Sequence, residues 1–142
     1  MKILLAVDGS KHSLKTARFL ISFAGQCRES PQVGLVCVRP PVPKLPRMSK
    51  VVSAKQIRRY YEEEGWAALS KAKKLLDASG VRYVAQVLVG PIAESIVNEA
   101  ERTRCDLIMI GTRGMTAAAN LLLGSTATRV LHLSDVPVLL VK

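Results

Sequence analysis

The stretch Lys2-Ile-Leu-Leu-Ala-Val-Asp-Gly-Ser10 decides how this 142-residue chain is read. Five apolar residues, Ile3 to Val7, run without interruption into an acid, and Asp8-Gly9-Ser10 then supplies turn and N-cap chemistry for a helix. An unbroken apolar run of this length suits a strand covered on both faces, as in a parallel sheet, where strand leads into helix.

The rest of the chain repeats that unit. Leu14, Ala17, Ile21 and Ala24 recur at helical spacing, with Lys11, Lys15 and Arg18 off that face and Gly25 as the expected stop. Gln32 to Val38 predicts a second strand, bounded by Pro31 and the Pro40-Pro41 pair. Pro40, Pro41, Pro43 and Pro46 exclude regular structure, so residues 39 to about 52 are expected to form an exposed basic loop. A helix is predicted from about Ala54 to Ser79, with Tyr61, Ala68, Ala72 and Leu75 or Leu76 inward. Glu62-Glu63-Glu64 face outward, Gly65 is a weak point and Gly80 a terminator. Val81 to Val89 predicts a third strand, and Gly90-Pro91 opens a helix with Pro at its first position and Ile92, Ile96, Val97 and Ala100 on one side. Asp106 to Gly111 predicts strand four, about Ser125 to Leu133 a helix, and Pro137 to Val141 a closing strand. Five strands alternating with four helices predict an α/β fold: one domain, a doubly wound parallel five-stranded sheet of order 3-2-1-4-5 with helices on both faces.

Composition agrees. Apolar residues make up 49% of the chain, which excludes a disordered protein. The longest uncharged stretch, Gly114 to Thr128, includes Asn120, Gly124, Ser125 and several Thr, and falls short of the ~20 apolar residues of a spanning helix. Lys2 is followed by too short an apolar run for a secretory signal, so the expected location is the cytoplasm. Cys27, Cys37 and Cys105 form no C-x-x-C, and reduced thiols are expected, with Cys37 and Cys105 as buried small hydrophobes.

The net charge of +10 is uneven: residues 1–61 hold twelve Lys or Arg against Asp8 and Glu29, whereas the remainder balances. Lys44, Arg47, Lys50, Lys55, Arg58 and Arg59 run without an acid between them and would attract nucleic acid, anionic lipid or only solvent. With six aromatic residues in the chain and no recognition-helix pattern, nucleic acid is not an expected partner. Tyr60, Tyr61 and Trp66 are read as core or interface packing, and His12 and His132 as helix-surface residues.

The candidate chemistry gathers where strand order reverses, because ligands of such sheets bind beyond the carboxyl ends of the strands at that point. In order 3-2-1-4-5, Asp8 at the end of strand one and Gly111 at the end of strand four become neighbours. The connection runs Gly111-Thr-Arg-Gly114, nine further residues, then Gly124-Ser125-Thr126. Glycine lets backbone N–H groups approach a ligand, and a helix beginning at Gly124-Ser125 points unpaired N–H groups and a positive dipole end at an anion. Any one of these glycines would serve a turn or cap alone; three with a hydroxyl, bracketing one connection, point to a phosphate chain. Arg113 would neutralise phosphate, contact another subunit or simply be exposed.

These residues carry a resemblance. Gly111, Gly114, Gly124 and Ser125 match without a gap the pattern G-x2-G-x9-G-[S/T] of nucleotide-binding members of the universal stress protein family. Ile3 to Ser10 looks like that family's opening strand and turn, Asp106 to Gly114 like its fourth strand and loop, and Pro137 to Val141 like its last strand. The resemblance covers residues 1–142 as one universal stress protein domain and implies a Rossmann-like fold binding ATP, or ADP. It implies that Asp8 holds the ribose hydroxyls with help from the backbone at Gly111, and that the backbone near Val38 meets the adenine edge. The phosphates would lie against Gly114, Gly124, Ser125 and the N–H groups of Thr126 and Ala127, while Ala6 and Ile110 line base and sugar. Mg2+ would be held through the phosphates and water, with no protein metal ligand. A homodimer through the uncharged terminal strand is implied as well.

Some relatives carry Pro where this chain has Ala6, and the 39–52 segment matches no motif. No Walker motif, catalytic carboxylate pair or nucleophile with an adjacent base is present, so no catalytic residue is assigned and binding without efficient turnover is expected. The alternative is a weakly active ATP-hydrolysing or adenylyl-transferring α/β enzyme, for which Asp8-Gly9-Ser10 lacks a doubled glycine.

Overall fold

The computed structural model describes residues 1–41, 53–114 and 123–142, so most of the predicted 39–52 loop and the middle of the glycine-bracketed connection lie outside the described residues. Five strands, β1 (Lys2–Ala6), β2 (Gln32–Arg39), β3 (Tyr83–Val89), β4 (Leu107–Gly111) and β5 (Val138–Val141), alternate with α1 (Lys11–Gln26), α2 (Ala54–Ser79), α3 (Ile92–Arg102) and α4 (Ser125–Leu133). All strand pairs are parallel and the order is β3-β2-β1-β4-β5, as the sequence predicts. The order reverses at β1, whose two neighbours are β2 and β4.

Alternation along the strands divides the core between the two faces. Ile3, Leu5, Val33, Leu35, Cys37 and Met109 pack under α1 and α2 with Leu20, Leu69, Ala72 and Leu76. Leu4, Ala6, Val36, Val38, Ile108 and Ile110 pack under α3 and α4 with Ile96, Val97 and Val130. Each fully buried Leu or Ile contributes about 1.5–3 kcal/mol, and β1 carries three of them, Ile3, Leu4 and Leu5, at 0–1% exposure. The strand that presents Asp8 is thus anchored deep in the core, as is its neighbour β4.

Several local expectations change. Gly25 does not end α1, which continues to Gln26 with Cys27 as its C-cap; the position is exposed and takes ordinary helical geometry. Gly80 does end α2, at φ 73°. Helix α2 starts on a complete capping box, in which Gln56 N–H donates to Ser53 Oγ (3.2 Å) and Ser53 N–H to Gln56 Oε1 (2.8 Å). Gly65 is not a weakness: it is buried, and a Cβ there would overlap both methyls of Val87, the nearer lying inside the 2.7 Å of Cγ2. Its missing side chain is what lets α2 lie on β3. Strand β3 begins at Tyr83 rather than Val81, and Arg39 extends β2 instead of opening a loop. Pro91 is the N-cap of α3, not its first helical residue, and its carbonyl accepts from Ser95 N–H at 2.9 Å. Tyr61 joins the buried side chains, but Tyr60 and Trp66 are 50% and 41% exposed and do not belong to the core.

Candidate nucleotide-binding site

The geometry of the site starts from the end of β1. Val7 N–H donates to Val36 carbonyl at 2.9 Å, and Asp8 follows immediately. Ser10 N–H donates to Asp8 Oδ1 (2.9 Å), and Ser10 Oγ in turn accepts from Ser13 N–H (3.1 Å), so one residue orients the carboxylate and caps α1. Gly9, at φ 83°, completes the turn where a Cβ would come within 3.0 Å of the Ala68 backbone. The turn is therefore held between α1 and α2.

At the end of β4, a Cβ on Gly111 would lie 3.2 Å from Thr16 Oγ1 of α1. Three residues on, a Cβ on Gly114 would lie 2.8 Å from Asp8 Oδ2. Residues more than a hundred positions apart converge, and glycine leaves the space beside the carboxylate open. Thr112 closes the loop at both ends: its N–H donates to Val141 carbonyl (2.9 Å), and its carbonyl accepts from Gly124 N–H (2.7 Å). The connection therefore leaves and re-enters at one place, and α4 begins beside Gly111 and Gly114.

Helix α4 differs from α1 and α2 at its N-terminus. Its N-cap, Gly124, makes no side-chain cap bond, whereas Ser10 and Ser53 cap theirs. Thr128 N–H is the first to reach back into the helix, donating to Gly124 carbonyl at 3.0 Å. The amides of Ser125, Thr126 and Ala127 precede it, at the positive end of the helix dipole. An anion at this tip would take the bonds that a capping side chain takes elsewhere.

The remaining predicted residues lie on the neighbouring strands. Ala6 and Ile110 are direct cross-strand partners, both buried. On β2, the last rung with β1 is at Val36, so Val38 presents its peptide groups toward the side beyond the end of β1. Such a residue offers one donor and one acceptor in line, which suits the edge of a base. Asp8, Gly111, Gly114 and Gly124 are thus brought together, Ser125, Thr126 and Ala127 follow Gly124, and Val38 stands one strand away. Residues 115–122 lie outside the described part.

Two contributors escape sequence reasoning. Thr16, fully buried, packs against Gly111 and satisfies its hydroxyl on His12 carbonyl (3.3 Å). Its signal is a hydroxyl residue within the apolar stripe of α1. Thr112 acts through its backbone and leaves no side-chain signal. The thiols are structural: Cys37 and Cys105 are buried, and burial, with the charge of Asp8 adding and that of Arg39 opposing, pushes the Cys37 thiol up to about 11. His132 is exposed as expected, and His12 half-buried.

Comparison with known proteins decides the family. The model of the universal stress protein family matches residues 1–142. The chain belongs to this family. It is 37% identical to universal stress protein MJ0531 of Methanocaldococcus jannaschii, over 99% of this chain and 81% of that protein. The solved structure of MJ0577 from the same organism superposes with a TM-score of 0.81 at 29% identity, covering 99% of this chain and 94% of that one. The universal stress protein of Archaeoglobus fulgidus in complex with dAMP superposes with a TM-score of 0.65 at 23% identity, over 100% and 98% of the two chains.

Among the described residues no helix of this family member is long and apolar enough to cross a membrane.

Proposed function

We propose that this universal stress protein is a regulatory module that binds ATP or ADP at the carboxyl edge of its sheet, as a cytoplasmic homodimer. The observation that carries the reading is the meeting of Asp8 with Gly114 beside an α4 tip that lacks a capping side chain. Asp8 would clasp the ribose hydroxyls, the Val38 peptide would meet the adenine edge, and Ala6 and Ile110 would underlie base and sugar. The Gly111 backbone would assist Asp8 at the ribose, and Gly114, Gly124, the Ser125 amide and hydroxyl, and the N–H groups of Thr126 and Ala127 would surround the phosphates. A divalent ion travelling with the nucleotide would be held by phosphate oxygens and water.

The relative from Archaeoglobus fulgidus is in complex with dAMP, and other solved relatives are in complex with cAMP or AMP. Those ligands favour an adenine nucleotide here, and the two glycines that bracket the connection, with the α4 tip beside them, favour the longer chains of ATP and ADP. For the dimer, β5 is an edge strand whose four residues are all half-buried, with an outer row of N–H and C=O groups suited to a second copy.

Thermal denaturation with ATP, ADP and AMP, with and without Mg2+, tests the proposal. A nucleotide at about 100 times its Kd adds about 2.7 kcal/mol to stability. A rise with ATP or ADP exceeding that with AMP is expected, and an unchanged melting curve at millimolar nucleotide contradicts it.

A further inference from the structure

The two helical layers of the fold carry different charge. On α3 and α4, the helical cations Arg102 and Arg129 pair with Glu99 and Glu94, and Glu101 adds a further acid. Across the sheet, α1 contains Lys11, Lys15 and Arg18 and no acid, and α2 from Gly65 to Leu76 contains Lys71, Lys73 and Lys74 and no acid. None of these six takes part in an ion pair among the described residues. Five of them are exposed, and Lys73 is half-buried with its ammonium over the Trp66 ring, 5.1 Å from the centroid.

The cations of both helices lie on one side of the sheet. Helices α1 and α2 lie side by side on one sheet face, and Lys11, Lys15 and Arg18 recur at one-turn spacing along the outer side of α1. The exposed residues between the cations, Ser22, Ala67 and Ser70, are short, so nothing holds a charged surface away. Two aromatic side chains mark the rims. Phe19 continues the His12–Thr16 row of α1, which faces Gly111 on the side away from α2, and is 42% exposed. Trp66 continues from Glu62, which lines a hollow with Val87 and Val89 of the edge strand β3, and is 41% exposed.

We propose that the face formed by α1 and the second half of α2 docks this protein on an anionic lipid surface. A bilayer is flat and would engage the five exposed cations of both helices at once, whereas a convex nucleic-acid duplex would meet only part of the face. Negative headgroups complement a surface where six cations stand against one acid, Asp77, whose carboxylate accepts from the Tyr83 hydroxyl, and Trp66 and Phe19 sit at rims where an aromatic ring would enter the headgroup layer. The nucleotide site lies at the strand ends, not on this face, so docking would leave it open to solvent.

Trp66 is the chain's single tryptophan, which makes the test direct. Wild-type protein is mixed with vesicles of phosphatidylcholine containing about one part in three phosphatidylserine, at about 0.1 M salt. Binding by co-sedimentation is expected together with a blue shift of Trp66 emission, and neither with phosphatidylcholine alone. Each surface cation is worth about fivefold in binding, so the paired charge reversals Lys11→Glu/Lys15→Glu and Lys71→Glu/Lys74→Glu should each weaken it by about 25-fold or more. Arg82→Glu, off this face, should change it less than about twofold. Circular dichroism confirms that each variant is folded. Raising salt should release the wild type with no substitution at all. Binding that survives both reversals, pelleting without a change in Trp66 emission, or equal retention by neutral vesicles overturns the proposal. So does a mixed-sequence duplex of about 20 base pairs that binds more tightly than the vesicles at equal salt, which would assign the face to nucleic acid.

Discussion

Gly65 in α2 and Gly114 after β4 both make room for a neighbour, and the neighbours differ in kind. At Gly65 the space is filled by Val87, so helix and strand lock together; at Gly114 it borders the Asp8 carboxylate at the sheet's open edge. One glycine serves packing, and the other keeps open the space where the proposed nucleotide would lie. The helix starts show the same division, because Ser53 completes a capping box on α2 whereas Gly124, at the start of α4, has no side chain with which to cap it.

Breaking the open glycine should have the largest effect on function. Gly114→Asp would place a second carboxylate against Asp8 and fill the phosphate space, and a loss of ATP affinity of about 100-fold or more is expected with a melting temperature close to wild type. Calorimetric titration checks the first and thermal denaturation the second.

Filling the closed glycine should do the reverse. Gly65→Ala is expected to cost about 2 kcal/mol of stability through overpacking on Val87, leaving affinity in the folded protein unchanged. Adding Val87→Ala should recover part of that loss. Gly25→Ala, at a helical position with open space around it, should instead stabilise by about 0.5–1 kcal/mol. A Gly65→Ala protein as stable as wild type would erase the contrast.

The opposite end of the sheet holds a polar contact tied to stability alone. Glu99 is buried and its two oxygens accept from Arg102 Nε (2.9 Å) and Nη2 (2.7 Å). The Arg102 hydrogen bonds, against the opposing effect of burial and with help from Gln86 and the nearby charges, hold its carboxyl below the usual range. A lowered folded pKa stabilises above the unfolded value, near 4.5, and that contribution disappears as pH falls through the lower folded value. Glu99→Gln should therefore cost about 1–2 kcal/mol at neutral pH and converge with wild type in acid, as denaturant titrations at several pH values would show.

The smallest effects distinguish the two helix starts. Ser125→Ala removes one hydroxyl but no backbone donor, and should lower nucleotide affinity by about 1 kcal/mol without affecting stability. Ser53→Ala should lower stability by about 1 kcal/mol without affecting affinity. Exchanged outcomes would mean that α4 is capped and α2 is not.

The architecture was legible because its signals are local and repeated: each apolar run is followed by turn residues and a helical stripe, and strand order follows from connection handedness. The meeting of Asp8 with Gly111, Gly114 and Gly124 was legible for the same reason, since topology alone brings those strand ends together. What escaped depends on contacts between elements. Gly65 reads as a defect in any single helix, and only the approach of Val87 gives it a purpose. Thr112 works through its peptide, which every residue possesses, and Trp66 and Tyr60 share helical spacing with core residues yet sit one step off the buried stripe. The basic excess was visible from the first residues, but its collection into one cation-rich face required α1 and α2 to be laid side by side.

The most direct test of the central claim is a titration of isotope-labelled protein with ATP, followed by the backbone amide resonances. Shifts concentrated at Gly111, Gly114 and Gly124 to Ala127, with Val38 responding to the base, are the expected result. Saturable binding that leaves those amides unmoved while others shift, or no response at millimolar ATP, would contradict it.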